Sequence, residues 1–410
     1  MLFRSGKWAG DGQRALHDGM ARNGWTWGTV PLDFPPYYVY AALDGALTAR
    51  LHDTLRPEVD RNYRNVYETE MAVLRVVYEM ETRGARLDLG YLDTKRAELD
   101  AYVENVKTWT ETEWGVNAAS NKKLAERLLA DGVELTKLTA TNGYAMDEEV
   151  LESLSHPLAR AVLNMRKAQK ITKTYLHNLQ TRADGDLVHC DVRTLGARTG
   201  RMSVVNPALQ TLPRGTVVRD AFVPREGNVL ISADYDQVEL RLLAHFAREE
   251  SMIRAVHEGV DLHSNTARLI YGEQFTKDDR QTAKNGNFAK VYAAGPKTFA
   301  KTVGISVQEA REFMDRYDRA FPGVAQFARE VDRVANERFA EHGEGWVTTP
   351  LGRRHPLEHG AIYRGVNYLV QGAAADLLKE ALVRLDLCGL GEFMILPVHD
   401  EVIFDVPAGR

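Results

Sequence analysis

From Val66 to Arg83 apolar residues recur at steps of three and four, which predicts an amphipathic helix with Gly84 as its C-cap. A second long amphipathic helix is predicted from Leu89 to about Trp114, and after Ser120, a suitable N-cap, the helical period continues to about Leu179. At L-V-H-C-D-V-R-T-L the period drops to two and announces a sheet. Beyond it, N-V-L-I-S-A-D-Y-D-Q-V-E-L-R-L-L-A-H-F-A predicts a buried strand that breaks at Asp234 into an amphipathic helix, with Asp236 placed to cap that helix. R-Q-T-A-K-N-G-N-F-A-K-V-Y, Arg280 to Tyr292, predicts another helix. Near the end, M-I-L-P-V-H-D-E-V-I-F-D-V consists of two apolar runs around His399, Asp400 and Glu401, the pattern of a hairpin with an acidic tip. The first 36 or so residues are mixed and close on V-P-L-D-F-P-P, and a helix then begins with Tyr40 and Asp44 four apart on one face.

A chain of 410 residues exceeds what one core supports, so two or more domains are expected. With 44% hydrophobic and 27% charged residues the composition is globular, and a formal charge of −5 excludes a uniformly basic nucleic-acid wrapper while permitting a local cationic groove. Cys190 and Cys388 lie far apart, form no metal-ligand pair and read as thiols of a reducing compartment. No run is long and apolar enough for a membrane span, and M-L-F-R-S-G-K-W-A-G lacks the apolar core of a signal peptide, so a cytoplasmic protein is expected.

Candidate chemistry lies in three places. On the helix from Arg280, the residues Arg280, Lys284, Phe288 and Tyr292 share one face, two cations followed by two aromatics. Arg and Lys bind phosphate oxygens and an aromatic ring stacks on a base, so the face suits a nucleoside triphosphate. Asp234, at the end of an apolar strand, needs a cation or donors to offset its desolvation, and Asp400 at the hairpin tip converges with it if the two strand systems are neighbours. Two hard oxygen ligands that leave most positions to water and phosphate suit a pair of Mg2+ ions driving in-line phosphoryl transfer. Between these segments, the irregular stretch Thr199 to Arg214 offers Arg201 and Gln210 for reading a groove, and Arg166, Lys167, Lys170 and Lys173 form a basic face that would follow a duplex backbone.

These motifs resemble those of the bacterial and phage family A DNA polymerases, from about residue 63 to the end: D-Y-D-Q-V-E-L-R the first palm motif, R-Q-T-A-K-N-G-N-F-A-K-V-Y the fingers-helix motif, V-H-D-E the second palm motif. The resemblance implies an α+β right-hand polymerase with an antiparallel palm sheet and helical thumb and fingers, acting on primer-template DNA and dNTPs. It implies a thumb at 61–182, palm at 183–247 and 351–410, and fingers at 248–350. Asp234 and Asp400 become the metal ligands with the Tyr235 carbonyl assisting, and Glu401 a support. Arg280, Lys284, His263 and Gln237 meet the nucleotide, Phe288 lies near its sugar and base and Tyr292 beside the templating position, and Glu239 is the steric gate against a 2'-hydroxyl. Arg201, Gln210, Asn367, Gln371 and His399 contact primer and template, the first two at minor-groove acceptors common to all correct pairs. Asp236, Gln281, Ala289, Ala293, Ala208 and Tyr363 depart from the usual family residues. Tyr40 and Asp44 resemble the last motif of proofreading exonuclease domains, whose Asp-x-Glu motif is missing upstream, so residues 1–60 are expected to be an exonuclease remnant. Arg410 stands nine residues after Glu401, and the expectation is a truncated palm with an uncovered sheet edge beside the hairpin. The alternative to a DNA polymerase is a copy that binds primer-template or nucleotide without incorporating it. The related single-subunit RNA polymerases are disfavoured by Glu239, where a ribonucleotide enzyme needs a small residue, and by Glu401.

Overall fold

A computed structural model describes residues 7–213 and 215–409; the first six residues, Arg214 and Arg410 lie outside the described residues. The chain divides into two compact units, Met1–Glu68 and Thr69–Arg410. In the first, helices α1 (Lys7–Asn23) and α2 (Pro35–Asn62) enclose a small core of Leu16, Met20 and Val30, edged by Trp25, Phe34, Tyr37 and Tyr40. Pro35 and Pro36 open α2, where a missing N–H costs nothing. The expected Tyr40–Asp44 pair forms, and its hydrogen bond raises the Tyr40 hydroxyl above its ordinary pKa.

Helix α3 (Arg64–Arg83) carries the chain into the second unit and ends on Gly84, whose φ of +64° lets its N–H reach back to the Met80 carbonyl at 3.0 Å. After β1 (Ala85–Arg86), α4 (Leu89–Trp114) is capped by Asp88 and α5 (Asn121–Ala130) by Ser120, and α6 (Glu148–Ser153) and α7 (Pro157–Lys170) follow. Helix α7 continues through a π-helical turn, Ile171–Leu176, into α8 (His177–Arg182). Val103, Leu124, Leu128, Leu158 and Val162 form the core of this helical group. The period-two segment resolves into two small antiparallel sheets, β2 (Ala183–Asp184) and β3 (Leu187–Val188) joining β1, and β4 (Asp191–Arg193) pairing with β5 (Ser203–Val205). Burial pushes the Cys190 thiol up to about 12, which makes it inert at neutral pH.

A short helix, α9 (Thr216–Arg219), precedes β6 (Asn228–Asp234). Helices α10 (Val238–Ala247), α11 (Glu250–His257), α12 (Leu262–Tyr271), α13 (Lys277–Val291), α14 (Pro296–Val303), α15 (Val307–Ala320) and α16 (Pro322–His342) then gather around Phe299, Phe313, Tyr317 and Phe321. Capping boxes at Thr276/Asp279 and Ser306/Glu309 start α13 and α15. The hairpin β7 (Gly345–Thr348) and β8 (Arg354–Leu357) leads to α17 (Gly365–Leu387), then β9 (Met394–Val398) and β10 (Glu401–Pro407). The central sheet runs β6-β10-β9, all antiparallel, against a core shared by Val76 and Met80 of α3 with Leu378 and Leu382 of α17. Long helices with antiparallel sheets give the α+β class expected, and no described helix is long and apolar enough to cross a membrane.

Two local expectations are corrected. Strand β6 is not buried: it is an edge strand with β10 on one side only, and Val229 and Ile231 stand 42% and 45% exposed. The continuous apolar run reads as buried on both faces, but its side chains alternate, Leu230 packing on the core and Val229 and Ile231 turning to the other face. Nor does Asp236 cap α10. That position belongs to Gln237, in the left-handed region at φ +51° and without a side-chain cap, while the Asp236 carboxylate pairs with Arg241 at 2.8 Å.

Helix α13 meets α15 where Gly286 lies flat against Phe313; a Cβ there would stand 2.4 Å from the ring, which is itself buried. Gly286→Ala is expected to destabilise the fold by about 1–3 kcal/mol through overpacking, despite the better helix propensity of Ala, as read by chemical denaturation.

Candidate active site

Pairing of β10 with β6 sets Glu401 opposite Asp234, and β9 and β10 are joined by the two-residue turn His399-Asp400, with His399 at φ +58°. The Tyr235 N–H donates to the Asp400 carbonyl at 3.2 Å and ties the end of β6 to that turn. Asp234 and Asp400 are thereby held at one end of the sheet. Partial desolvation, and then repulsion from Asp400, Glu401 and Asp236, push the Asp234 carboxyl above its ordinary pKa. Arg241 holds Asp236 below the usual range, and Glu401 accepts a short hydrogen bond from the Ser232 hydroxyl. Among the described residues, neither Asp234 nor Asp400 enters an ion pair, and no group of three or more His, Cys, Asp or Glu forms a ready-made metal cage. Two mutually repelling carboxylates without a cationic partner fit a hard divalent cation that takes its other oxygens from a ligand.

Facing these aspartates is a cleft of about 300 Å3 that brings together Asp234, Gln237, Glu239, His263, Lys284, Phe288, Tyr292 and Asp400. The expected helical face is thus largely realised, with Lys284 and Phe288 on α13 and Tyr292 at its C-cap. Lys284 makes no ion pair among the described residues. Arg280 does not line the cleft: its guanidinium donates to Asp261 at 2.9 and 3.1 Å and to the Ser264 hydroxyl at 3.0 Å. Asp261 also caps α12; burial works against its charge, but the bonds from Ser264 and Arg280 prevail and hold its carboxyl low. This partner was missed in the sequence, although an Asp just before L-H-S-N is itself an N-cap signature.

His263 is 5% exposed and burial lowers its pKa to about 4, so it is neutral at pH 7. Its tautomer follows from a neighbour. Asn287 Oδ1 accepts from the Tyr317 hydroxyl at 2.9 Å, which turns the Asn287 amide nitrogen toward His263 Nδ1 at 3.0 Å; Nδ1 therefore accepts, and Nε2 carries the proton.

The remaining predicted contacts lie around this cleft, not within it. Arg201 makes a short ion pair with Glu239, which is 8% exposed, has its Oε2 unpartnered and is raised in pKa chiefly by burial. The Tyr292 hydroxyl lies between Arg201 and Gln371, its pKa raised by burial first. Gln210 is engaged with the backbone of β5, accepting from the Val204 N–H at 3.1 Å. Asn367 Nδ2 is buried without a partner, and His399 lines a small gap shared with Arg201 and Asp400. On the basic face, Arg166 is spent on the Met146 carbonyl and Asn121, and Lys167 on Glu148 and Glu152, which leaves Lys170 and Lys173 exposed.

Residues 90–410 match the family model described as DNA polymerase family A. The chain is 33% identical to the DNA polymerase of Mycobacterium phage D29 over 398 residues, covering 94% of this chain and 64% of that one. It is 35% identical to DNA polymerase I of Streptococcus pneumoniae over 376 residues, covering 83% of this chain and 42% of that one. The structure superposes with a TM-score of 0.76 and 30% identity on the POL domain of Pol1 from M. smegmatis, solved in complex with DNA primer-template and dNTP, covering 92% of this chain and 70% of that chain. The chain thus spans less than two thirds of the length of these curated relatives.

The histidine supplies a test. Because the pKa of His263 falls from 6.5 in the unfolded chain to about 4 in the folded one, the unfolded state binds the extra proton between those values. Stability is then fully present above pH 6.5 and is lost as pH falls toward 4, by up to about 3 kcal/mol from this residue. Urea denaturation across that window is expected to show a shallower pH dependence in His263→Gln, which keeps an acceptor for Asn287.

Proposed function

Because this chain belongs to the family A DNA polymerases, we propose that it extends a primer 3'-hydroxyl on a template with deoxynucleoside triphosphates. The observation that carries this reading is one cleft joining the Asp234/Asp400 sheet end to Lys284, His263, Phe288 and Tyr292. In this assignment residues 61–182 act as the thumb, 183–247 and 351–410 as the palm, 248–350 as the fingers, and 1–60 as the exonuclease-like remnant. A cytoplasmic setting, in a bacterial or phage-infected cell, goes with it.

Lys284, free of an ion pair among the described residues, takes the triphosphate as a point charge. Arg280 joins it by leaving Asp261, exchanging one carboxylate for phosphate oxygens on the same guanidinium fork. Neutral His263 donates from Nε2 to a phosphate oxygen. Gln237, beside Asp236 and Asp261, borders the same end of the cleft. Phe288 and Tyr292, whose rings stack 6.3 Å apart, offer flat surfaces near the sugar and base. Glu239, packed and buried at the cleft wall, excludes a 2'-hydroxyl by its volume. Asp234 and Asp400, with the Tyr235 carbonyl, would hold two Mg2+ ions, which when bound supply charge stabilisation to the attacking hydroxyl and to the leaving pyrophosphate. Glu401 supports the aspartates from the adjacent β10 position. Arg201, Gln210, Asn367, Gln371 and His399 are assigned to primer and template, and Lys170 and Lys173 to backbone phosphates.

Primer extension on a short primed template with Mg2+ and dNTPs tests the assignment. The parent is expected to extend, and Asp234→Ala or Asp400→Ala to lose roughly 100-fold or more in rate, the scale of removing a preorganised electrostatic stabiliser. A folded parent that binds primer-template and does not extend it would instead support a binding copy without catalysis. Glu239→Ala is expected to admit ribonucleotides; unchanged sugar discrimination would sink the gate.

A further inference from the structure

Away from the cleft, two acids and two bases are buried together. Arg353 donates from Nε to Asp376 Oδ1 at 2.7 Å and from Nη2 to Glu70 Oε1 at 2.5 Å, and Lys379 reaches the same Glu70 oxygen at 2.5 Å. The four side chains are 14% exposed or less, and Lys379 is fully buried. They come from α3 (Glu70), the turn between β7 and β8 (Arg353) and α17 (Asp376 and Lys379), and Thr349 closes the set by donating to Asp376 at 2.6 Å. Burying such a group is expensive, and an apolar replacement of equal volume serves stability as well or better. What the quartet supplies instead is orientation. A guanidinium held by carboxylates on two different helices cannot turn, so its plane is fixed.

Gly200 rests against that side chain. A Cβ at Gly200 would lie 3.1 Å from both Cδ and Nε of Arg353 and 3.4 Å from Cζ, and its φ of +78° is one that L side chains rarely adopt. The loop carrying Gly200 is closed on itself by Ala197 N–H to Arg201 O at 3.1 Å and Gly200 N–H to Ala197 O at 2.9 Å, so a shift at Gly200 is passed to Arg201. A second strut from the same hairpin, His355 Nδ1, donates to the Arg198 carbonyl at 3.1 Å. Arg201 itself ends on Glu239.

We propose that Arg353, locked by Glu70 and Asp376, is a positioning residue for Arg201: it fixes the height of the Thr199–Arg201 loop and thereby the contact Arg201 makes with primer-template. The inference rests on the polymerase reading above. Primer-template affinity, measured by fluorescence anisotropy with thermal melting alongside, tests it in Arg353→Lys, which keeps the charge and loses the fork, and in Gly200→Ala, which leaves all four charges in place. Each is expected to weaken binding about tenfold, and each effect to vanish in an Arg201→Ala background, because coupled sites are non-additive. Equal losses with and without Arg201, or unchanged affinity in both variants, overturn the proposal while the polymerase reading stands. A parent chain that binds no primer-template overturns both.

Discussion

Seven antiparallel pairs between β6 and β10, from Glu401 opposite Asp234 to Pro407 opposite Asn228, hold acids together that electrostatics alone would separate. A one-residue slip would invert every side chain of β10, exposing Val402 and Phe404 and burying their neighbours, so the core under the sheet enforces the register. Further along, Asp405 fixes the same register by accepting from the Arg225 guanidinium at 2.7 Å and from Asn228 at 2.9 Å. Hydrophobic burial at one end of the ladder thus offsets carboxylate repulsion at the other. Desolvation first and that repulsion second raise the pKa of Asp234, and a divalent cation would offset both.

Much of this was legible because the signals were local. Helix ends at Gly84 and Ser120, the acidic hairpin, and the shared face of Lys284 and Phe288 depend on residues within one or two turns of each other. What was not legible depends on distance. A short apolar run does not say which of its faces is covered, so the exposure of Val229 and Ile231 could be known only once Leu230 between them was seen packed on the core. Asp236 looked like a cap because a carboxylate one residue before a helix usually is one; Gln237 in the left-handed region shifts the helix start and hands Asp236 to Arg241. Glu70 and Lys379 are 309 residues apart, and nothing in either neighbourhood announces the other.

Charged groups around the cleft divide into two kinds, and the division bears on how a ligand is received. Arg280, Arg201 and Asp236 each hold a partner already: Asp261, Glu239 and Arg241. Lys284, Asp234 and Asp400 hold none among the described residues. Groups of the first kind can meet a phosphate or a base edge only by sharing or giving up that partner, and giving it up is costly, because Asp261 is partly desolvated and Glu239 is 8% exposed with its Oε2 already unpartnered. Groups of the second kind offer their whole charge at once. On the proposed reading, a triphosphate with its cation would meet Lys284 and the two aspartates without displacing an ion pair, whereas Arg280 would have to share or leave Asp261. On that same reading Arg280 would link nucleotide binding to α12 as well as to α13, because its carboxylate partner Asp261 also caps α12 through Ser264. The Ser264 N–H and hydroxyl both donate to Asp261 Oδ1 at 2.7 Å, so the carboxylate that caps α12 has donors of its own besides Arg280.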